Sequence, residues 1–384
     1  MFSDRFYQRR RVMRMAVVLL LAGCGVGGQA DAQAAAYACA TSIAPDAGAA
    51  RAEIRSSYAE WKRRYLTREG AGRDLRVKMT GYKGGATTSE AIGYGMLLAA
   101  YLDDRSTFDG LWRFAKRHLN PRGMMSWEVL PDGRVPDPNA ATDGDQDIAF
   151  ALVVADARWG GYRSDAHALI GSILRHAVER GTDVLKPGDV WGGSRVTNAS
   201  YYAPAYYHVF AAYTREPRWN RVADAAYGVL GRVVARHSPR TGLLPGWTTA
   251  AGNPAGGDFA FLYDYGSARI PWRLAMDAAW HCDRRARRHL ELLNVFFQRT
   301  GVERLRDGYA LDGRPTGRGP GGPSFVAPAA AGAVVAADAR YRRAMWNETL
   351  RLRNSGYYGD SLRLLALLFA SGEMRPPRVT PPAR

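Results

Sequence analysis

The chain has 384 residues, of which 47% are hydrophobic, 23% charged and 11% aromatic. These proportions exclude collagen, coiled coil and intrinsic disorder as the main class, and three cysteines are too few for a disulfide scaffold. The net charge is +17, of which residues 1–23 contribute +4 and the rest +13. Such a charge first suggests nucleic acid. However, no basic helix, zinc-finger spacing or RNA-binding motif accompanies the scattered arginines, so we expect no nucleic-acid partner.

The first residues have the pattern of an export signal. Four arginines between positions 9 and 14 precede an apolar run at 16–22. A basic segment followed by a short apolar run is typical of a secretory signal peptide, here over residues 1–23. The run is too short to remain as a membrane span.

The sequence Leu-Ala-Gly-Cys at 21–24 resembles a bacterial lipobox, which would make Cys24 a lipidated N-terminus. Ordinary cleavage near residues 30–34 is the alternative. In both cases we expect an exported protein: periplasmic, an outer-membrane lipoprotein, or extracellular. Cys39 and Cys282 would then lie in an oxidising compartment and could pair.

Composition divides the rest of the chain into three parts. Residues 24–48 are small and rich in Ala and Gly, which predicts a flexible tether. Residues 49–372 show no linker and are interpreted as one domain. Residues 373–384 are rich in Pro and Arg, which predicts a disordered tail.

Helical periodicity dominates the body and predicts twelve helices. The predicted helices are 49–66, 88–103, 105–118, 144–159, 162–180, 203–214, 217–236, 271–281, 284–299, 325–337, 340–352 and 358–371. Most even-numbered helices of this series are poor in charge, whereas most odd-numbered helices carry charged faces. We therefore expect six helix pairs closed into an (α/α)6 barrel. The inner helices would run the same way, with their N-termini on one rim.

The first polar cluster at the start of a predicted inner helix is Ser-Glu-Ala-Ile-Gly-Tyr-Gly-Met at 89–96. Glu90 can be a first-turn carboxylate that complements the helix dipole. Gly93 and Gly95 weaken a helix, so their presence indicates the close approach of another group.

The second cluster places Asp143, Asp145 and Asp147 at alternate positions. A calcium loop would use such acids, but the EF-hand template fails because Ile148 and Val154 occupy its Gly and Glu positions. Asp143 or Asp145 can cap a helix, and we expect one of the three acids to do so.

The third cluster spans residues 263–273, where Pro271 suits the first turn of a helix and leaves Asp264 and Arg269 in the preceding loop. Separated carboxylates near aromatic rings are what glycoside hydrolysis requires, because one acid donates a proton while another stays ionised. The aromatic residues that could stack on sugar rings are Trp127, Trp191, Tyr201, Tyr202 and Trp247.

These motifs resemble glycoside hydrolase family 8, whose fold is the (α/α)6 barrel and whose members are inverting, endo-acting enzymes on β-glycans. The segment at 89–96 is similar to the one that holds the family's general acid, which implies that role for Glu90. The segment 141–159 matches the family signature, which implies that Asp143 contacts the sugar at the point of cleavage.

Two further segments carry the resemblance. Ser-Tyr-Tyr-Ala-Pro at 200–204 is similar to a family segment and implies a substrate contact for Tyr201. Arg269 is the first residue of a segment similar to the family's Arg-x-Pro-Trp-Arg motif, which implies a role for Arg269 in substrate binding. Trp127 occupies a stacking position of the family, and Trp191 is a further candidate for substrate binding.

The sequence departs from the family at the general base. Many members carry Tyr-Asp three residues before the arginine, and that Asp is the base. Here the position is Gly266, and Asp264 stands two residues earlier. Asp264 is our candidate base. The alternatives are Asp145, Asp258, or a weak or lost activity.

The resemblance implies an exported, inverting endo-β-1,4-glucanase that acts on cellulose or a related β-glucan, with xylan or mixed-linkage β-glucan as alternative substrates. Chitosan is disfavoured because a positively charged body repels a polycation. No metal or organic cofactor is expected. The expected partner is the polysaccharide, the chain is expected to be a monomer, and membrane contact is expected only through lipid at Cys24. A non-catalytic or weakly active glycan-binding lipoprotein is the alternative function.

Overall fold

The computed structural model describes residues 37–379, which form twelve α-helices and three short antiparallel strand pairs. The helices are α1 (Ala47–Tyr65), α2 (Ser89–Tyr101), α3 (Arg105–Arg117), α4 (Thr142–Trp159), α5 (Arg163–His176), α6 (Pro204–Thr214), α7 (Arg218–His237), α8 (Ile270–Trp280), α9 (Arg284–Thr300), α10 (Gly322–Gly332), α11 (Ala339–Arg351) and α12 (Tyr357–Ala370). The strand pairs are β1 (Leu66–Thr67) with β2 (Arg76–Val77), β3 (Thr87–Thr88) with β4 (Glu128–Val129), and β5 (Thr197–Asn198) with β6 (Trp247–Thr248).

The even-numbered helices form a closed inner ring. Each of them from α2 to α10 contacts the next even-numbered helix, and α12 contacts α2. Their residues are buried almost throughout, whereas the odd-numbered helices bury one face only. Each inner helix from α2 to α10 also packs against the odd-numbered helix that follows it, and α12 packs against α1. This is the predicted (α/α)6 barrel, and the predicted division into inner and outer helices is confirmed.

Local sequence explains where the helices begin. The side chain of Thr88 caps α2 by accepting a hydrogen bond from Ala91 N, and Asp283 caps α9 in the same way through Arg285 N and Ala286 N. In α8 a proline lies in the first turn, as predicted for Pro271.

Two predicted helices are too long at their C-terminal ends. The prediction of 325–337 exceeds α10, which ends at Gly332 and is followed by a 3-10 turn at Ala333–Val335. The prediction of 162–180 exceeds α5, which ends at His176, because the following residues form a tight reversal. Glu179 N donates to Val184 O at 2.9 Å and Lys186 N donates to Ala177 O at 2.8 Å. These hydrogen bonds replace the helical ones.

The glycines of α2 and α4 allow the two helices to approach closely. A Cβ added at Gly93 would lie 2.7 Å from Asp147 Cβ, and one at Gly144 would lie 2.6 Å from Glu90 N. The close approach indicated by Gly93 is therefore the approach of α4. It brings the first turns of the two helices together.

The prediction of a tether over residues 24–48 is wrong from Tyr37 onward. Tyr37 is buried and its hydroxyl donates to Phe369 O. Cys39 is joined to Cys282 in a disulfide, so the two cysteines do pair. Ile43 N donates to Ala370 O at 2.9 Å. These contacts attach the segment to the ends of α8 and α12.

The prediction of a disordered tail from residue 373 is also wrong for its first part. Met374 is fully buried, and Tyr101 donates from its hydroxyl to Arg375 O at 2.9 Å. The predicted signal peptide at 1–23 and the candidate lipid site Cys24 lie outside the described residues. Within residues 37–379, no helix combines the length and the hydropathy that a membrane span requires.

Candidate active site

The predicted polar clusters meet on one rim of the barrel, at the N-termini of inner helices. Glu90 lies in the first turn of α2 and Asp143 in the first turn of α4. Arg269 immediately precedes α8. The helix dipoles favour negative charge at both carboxylates.

Arg269 binds the two carboxylates with a single nitrogen. Its Nη1 donates to Glu90 Oε2 and to Asp143 Oδ2, both at 2.7 Å. Its Nη2 donates to Ser200 Oγ at 3.1 Å, and the guanidinium carbon lies 5.2 Å from the ring centroid of Tyr201. The guanidinium therefore fixes residues from three separate segments around one point.

The two carboxylates differ in their access to solvent. The side chain of Glu90 is 18% exposed, whereas those of Asp143 and Arg269 are 5% exposed. Burial raises the pKa of Glu90 to about 7, in spite of the opposing effect of Arg269. Glu90 is therefore a carboxyl that holds a proton near neutral pH and faces the opening of the barrel.

The spacing of the two acids limits what they can do together. Because each oxygen lies 2.7 Å from the same Arg269 nitrogen, the two oxygens are no more than twice that distance apart. Inversion needs carboxyl groups about 6.5–9.5 Å apart, so that water fits between the base and the sugar. Asp143 is therefore too close to Glu90 to be the base of an inverting reaction.

The three acids at the start of α4 diverge to different partners. Asp147 forms a bidentate pair with Arg273, with both bonds at 2.7 Å and both side chains buried. Asp145 accepts from Met125 N at 2.7 Å. The expectation that one of the acids caps the helix is wrong, because the residue at the cap position is Ala141. The three carboxylates therefore do not form one calcium-binding site, because each points to a different partner.

Asp264 lies in the loop that leads into α8, and its contacts are local. Its Oδ1 accepts from Gly266 N at 2.9 Å, and its backbone N donates to Ser267 Oγ at 2.7 Å. It is half-buried, and burial raises the pKa of its carboxyl. Tyr358 ties this loop to the rim by donating to Tyr265 O at 3.0 Å. Glu90 and Arg269 converge with Asp143, whereas Asp264 makes no hydrogen bond to them within the described part of the chain.

The two alternative bases have opposite environments. Asp145 is fully buried, which leaves no room for a water and a sugar beside it. Asp258 is exposed and precedes Phe259 on a loop at the rim. The structure therefore argues against Asp145 as the base.

Aromatic rings form a continuous surface beside Arg269, which we call the aromatic shelf and define as Tyr201, Trp247, Trp191 and Phe259. The Tyr201 and Trp247 ring centroids are 6.2 Å apart, and those of Trp247 and Trp191 are 5.8 Å apart. Phe259 stacks on Trp191 at 6.2 Å with an angle of 9° between the planes. Trp191 is 39% exposed, so the shelf offers an apolar face to solvent on which sugar rings can stack.

The other two aromatic candidates, Trp127 and Tyr202, are not part of the aromatic shelf. Trp127 is half-buried beside the start of α2, where its carbonyl accepts from Ser89 N at 3.0 Å, and its Nε1 donates to Asp137 Oδ2 at 3.2 Å. Tyr202 is 1% exposed and its hydroxyl bonds to Thr197 Oγ1, so it belongs to the core and cannot stack on a sugar.

Sequence reasoning missed several residues of the site. Tyr357, at the start of α12, donates from its hydroxyl to Glu90 Oε1 at 3.4 Å. Phe259 extends the shelf. The position of Tyr357 at the N-terminus of an inner helix was a usable signal, since all such N-termini lie on the same rim. Phe259 had no comparable signal, because its loop has no regular structure.

Known proteins resemble this chain over most of its length. Endoglucanase A from Acetivibrio thermocellus is 40% identical over 349 residues, which cover 88% of this chain and 72% of that protein. A beta-glucanase from Niallia circulans is 32% identical over 83% of this chain and 84% of that protein. The apo structure of a beta-1,3-1,4-glucanase from Paenibacillus sp. X4 superposes with a TM-score of 0.83 at 29% identity, and covers 88% of this chain and 97% of that one.

The family model for glycosyl hydrolases family 8 matches residues 32–372. The match includes Glu90, Asp143 and Arg269, which the barrel brings together on its rim. The twelve-helix ring agrees with the fold of the superposed glucanase. The chain therefore belongs to glycosyl hydrolase family 8 and is a glycoside hydrolase.

Proposed function

We propose that this protein is an exported, inverting endo-β-1,4-glucanase with Glu90 as its general acid. The observation that carries the proposal is the position of Glu90: a part-exposed carboxyl on the barrel rim, held by the Arg269 nitrogen that also holds Asp143. The aromatic shelf beside this group supplies a surface that suits a chain of sugar rings.

Glu90 has the properties that a proton donor needs. Its Oε2 is held by Arg269, whereas the hydrogen bond of its Oε1 within the described residues comes from the hydroxyl of Tyr357, at 3.4 Å. Oε1 can therefore carry the proton to the oxygen of the scissile bond. Because the pKa is raised to about 7, a large fraction of Glu90 is protonated at neutral pH.

Asp143 and Arg269 act on the sugar rather than on water. Both are almost fully buried beneath Glu90, so their polar atoms are held in one geometry by the surrounding protein. Such preorganised groups can bind hydroxyls of the sugar at the cleavage point, and the Asp143 carboxylate can stabilise the positive charge that develops on its ring. A double displacement with Asp143 as nucleophile is the competing mechanism, because its close spacing to Glu90 suits retention.

Asp264 is the proposed base. Its loop is joined to the site through Tyr358, which donates to Tyr265 O at 3.0 Å, and Gly266 packs against Gly246 beside the shelf residue Trp247. Asp264 would take a proton from a water that attacks the anomeric carbon while Glu90 protonates the departing oxygen. The raised pKa of Asp264 makes it a stronger base than an exposed aspartate.

The stereochemistry of the first product tests this mechanism. Inversion at a β-linkage releases the α-anomer, and proton NMR can observe it before mutarotation. A first product in the β-configuration would overturn the assignment of a distant base and would favour Asp143 as the nucleophile.

A β-1,4-glucan is favoured because the relatives above are named endoglucanase and beta-glucanase. Reducing-sugar release and viscosity loss on carboxymethylcellulose, barley β-glucan, xylan and chitosan test the substrate. We expect the highest rate on a β-glucan, with viscosity falling early as internal bonds break. Greatest activity on xylan would overturn the glucan assignment, and greatest activity on chitosan would overturn the charge argument. Glycan binding without product would favour the non-catalytic alternative.

Export is proposed from the sequence of residues 1–23 and is supported by the disulfide, since such bonds persist in oxidising compartments. Incorporation of labelled palmitate, compared between the wild type and Cys24→Ser, tests the lipid anchor. Unlabelled wild-type protein, cleaved near residues 30–34, would contradict the anchor and leave ordinary export.

A further inference from the structure

A second group of polar side chains lies away from the candidate active site, where α6, α8 and the start of α9 meet. It consists of His208, Asp277 and Asp283, whose candidate ligand atoms all lie within 4.8 Å of one another. Asp277 follows Arg269 by eight residues, which corresponds to roughly 12 Å of rise along α8. The group therefore has no part in the chemistry proposed for Glu90.

Asp277 has an oxygen whose hydrogen-bonding capacity is not met. The residue is fully buried, and its Oδ2 accepts from the hydroxyl of Tyr227. Its Oδ1 is also buried but accepts no hydrogen bond from the described residues. An unpaired buried carboxylate oxygen is costly. His208 Nε2 lies 3.7 Å from this oxygen.

The orientation of His208 leaves its Nε2 available as a ligand. Its Nδ1 lies 3.1 Å from Asn220 Oδ1. Because an amide oxygen can only accept, Nδ1 carries the hydrogen, and Nε2 of the neutral ring presents a lone pair. This arrangement is typical of metal-binding histidines, whose second nitrogen donates to a neighbouring oxygen. The lone pair faces Asp277 Oδ1, and a cation between the two atoms would satisfy both.

The surrounding charges leave this point negative. Arg285 donates to Asp283 Oδ2 at 2.8 Å and to Asp224 Oδ1 at 2.7 Å, so its single positive charge is set against the carboxylates of Asp283, Asp224 and the nearby Asp277. Asp283 Oδ1 also caps α9 through Arg285 N and Ala286 N, so an ion at this point would share the carboxylate with these donors.

We propose that His208 Nε2, Asp277 Oδ1 and the Asp283 carboxylate bind one divalent transition-metal ion of the Zn²⁺ type. An imidazole nitrogen among the ligands favours such an ion over Ca²⁺ and Mg²⁺, which prefer oxygen. A separation of 3.7 Å between Nε2 and Oδ1 suits two atoms that each lie about 2.0–2.2 Å from one ion. The His208 side chain is 24% exposed, which gives the ion a route of entry. The bound ion would join α6 to α8 and α9 close to Cys282.

Titration of the full-length, chelator-treated protein with Zn²⁺ tests the proposal by isothermal calorimetry. We expect one ion per chain and an increase in the melting temperature, because a ligand that binds the folded state stabilises it. His208→Ala should remove this site, and Asn220→Ala, which releases the ring, should weaken binding by about 10–100-fold. Co²⁺ in place of Zn²⁺ should give visible absorption in the wild type that His208→Ala lacks.

His167→Ala is the matched control, since His167 packs against Tyr213 outside this group and should leave binding unchanged. Asp277→Asn is a second test of the ligand set. If the Asp277→Asn variant fails to fold, His208→Ala still tests the site, because His208 is part-exposed and its loss disturbs the core less. No saturable binding to the wild type, or equal binding to wild type and His208→Ala, would overturn the proposal. In that case a proton on His208 Nε2, rather than a metal, satisfies Asp277.

Discussion

The protonation state of Glu90 is decided by two opposing effects. Burial disfavours the charged carboxylate and is the larger effect, whereas Arg269, at 2.7 Å, favours it. The nearby negative charge of Asp143 adds to the effect of burial. The resulting pKa of about 7 is the value at which a carboxyl serves as a proton donor under ordinary conditions.

The first prediction concerns pH. A general acid works only when it is protonated, so kcat/KM should fall above pH about 7, approaching a tenfold loss per pH unit as Glu90 ionises. The pH–rate profile on a soluble β-glucan measures this limb. Constant kcat/KM up to pH 9 would show that the group does not act as the acid.

The second prediction separates proton donation from a structural role. Glu90→Gln should lower kcat on polysaccharide by about 10²–10⁴-fold, while an oligosaccharide with a dinitrophenolate leaving group, which needs no proton, should retain most of its rate. The residual activity should no longer fall as the pH rises above about 7, because the group that ionises there has been replaced. Equal losses on both substrates would indicate that Glu90 maintains the site rather than donating the proton.

The third prediction concerns the base. Asp264→Ala should lose about 10²–10⁴-fold in kcat, and azide should restore turnover by attacking from the face that water would use, giving an α-glycosyl azide. Asp258→Ala is the matched variant, since Asp258 is an exposed aspartate in the same connection between β6 and α8, and it should stay active. Rescue of Asp258→Ala instead would move the base to that residue.

Gly266→Asp provides a further check on the base. A Cβ at this position would lie 3.1 Å from Asp264 Oδ1, so the new carboxylate would compete with Asp264 for the same space. If Asp264 is the base, turnover should not rise. A large rise would show that the natural chain lacks a competent base.

At the scale of elements, the contact between α2 and α4 sets the geometry of the site. Gly144 lies against the backbone of α2, where an added Cβ would be 2.5 Å from Ser89 C and 2.6 Å from Glu90 N. Backbone atoms cannot give way as a flexible side chain can. The first turns of α2 and α4 must therefore move apart if Gly144 is replaced.

The fourth prediction follows from this contact. Gly144→Ala should lower the free energy of unfolding by about 1–3 kcal/mol through overpacking and should also reduce kcat, because Glu90 and Asp143 move apart. Gly231→Ala is the control: Gly231 lies within α7 with open space at its Cβ position, and alanine there should stabilise by about 0.4–1 kcal/mol. Chemical denaturation and activity assays measure both. Unchanged stability and activity in Gly144→Ala would show that the helices tolerate a wider spacing.

At the scale of the molecule, one covalent bond joins distant parts of the sequence. Cys39 and Cys282 are 243 residues apart. Cys39 N also donates to Ala279 O at 3.2 Å, and Arg287 donates to Cys39 O at 2.6 Å. The segment before α1 is therefore fixed to the end of α8 and the start of α9.

The fifth prediction is that loss of this bond destabilises the barrel. Cys39→Ser should lower the free energy of unfolding by about 2–5 kcal/mol, because the bond restricts the unfolded chain over a long loop. Cys282→Ser and the double variant should show the same loss, as should the wild type under reducing conditions. A larger loss in the double variant would indicate that the cysteines also contribute independently.

The sequence by itself determined the helices and identified most of the candidate site residues. The twelve helices and the division into inner and outer sets could be predicted because burial on one face or on all faces is recorded in the local pattern of apolar residues. Glu90, Asp143 and Arg269 were identified from motifs within single segments, and the structure brings them together.

Only the tertiary structure decided which groups meet. The pairing of Asp143 with Arg269 and of Asp147 with Arg273 joins α4 to residues more than a hundred positions away, and the local pattern could not separate these pairs from a helix cap. Contacts between distant parts of the sequence also decide three other features: the disulfide, the packing of the segment from Tyr37, and the proximity of His208 to Asp277. The physical reason is that periodicity fixes which face of a helix is buried, whereas the partner of a buried charge depends on how the whole ring closes.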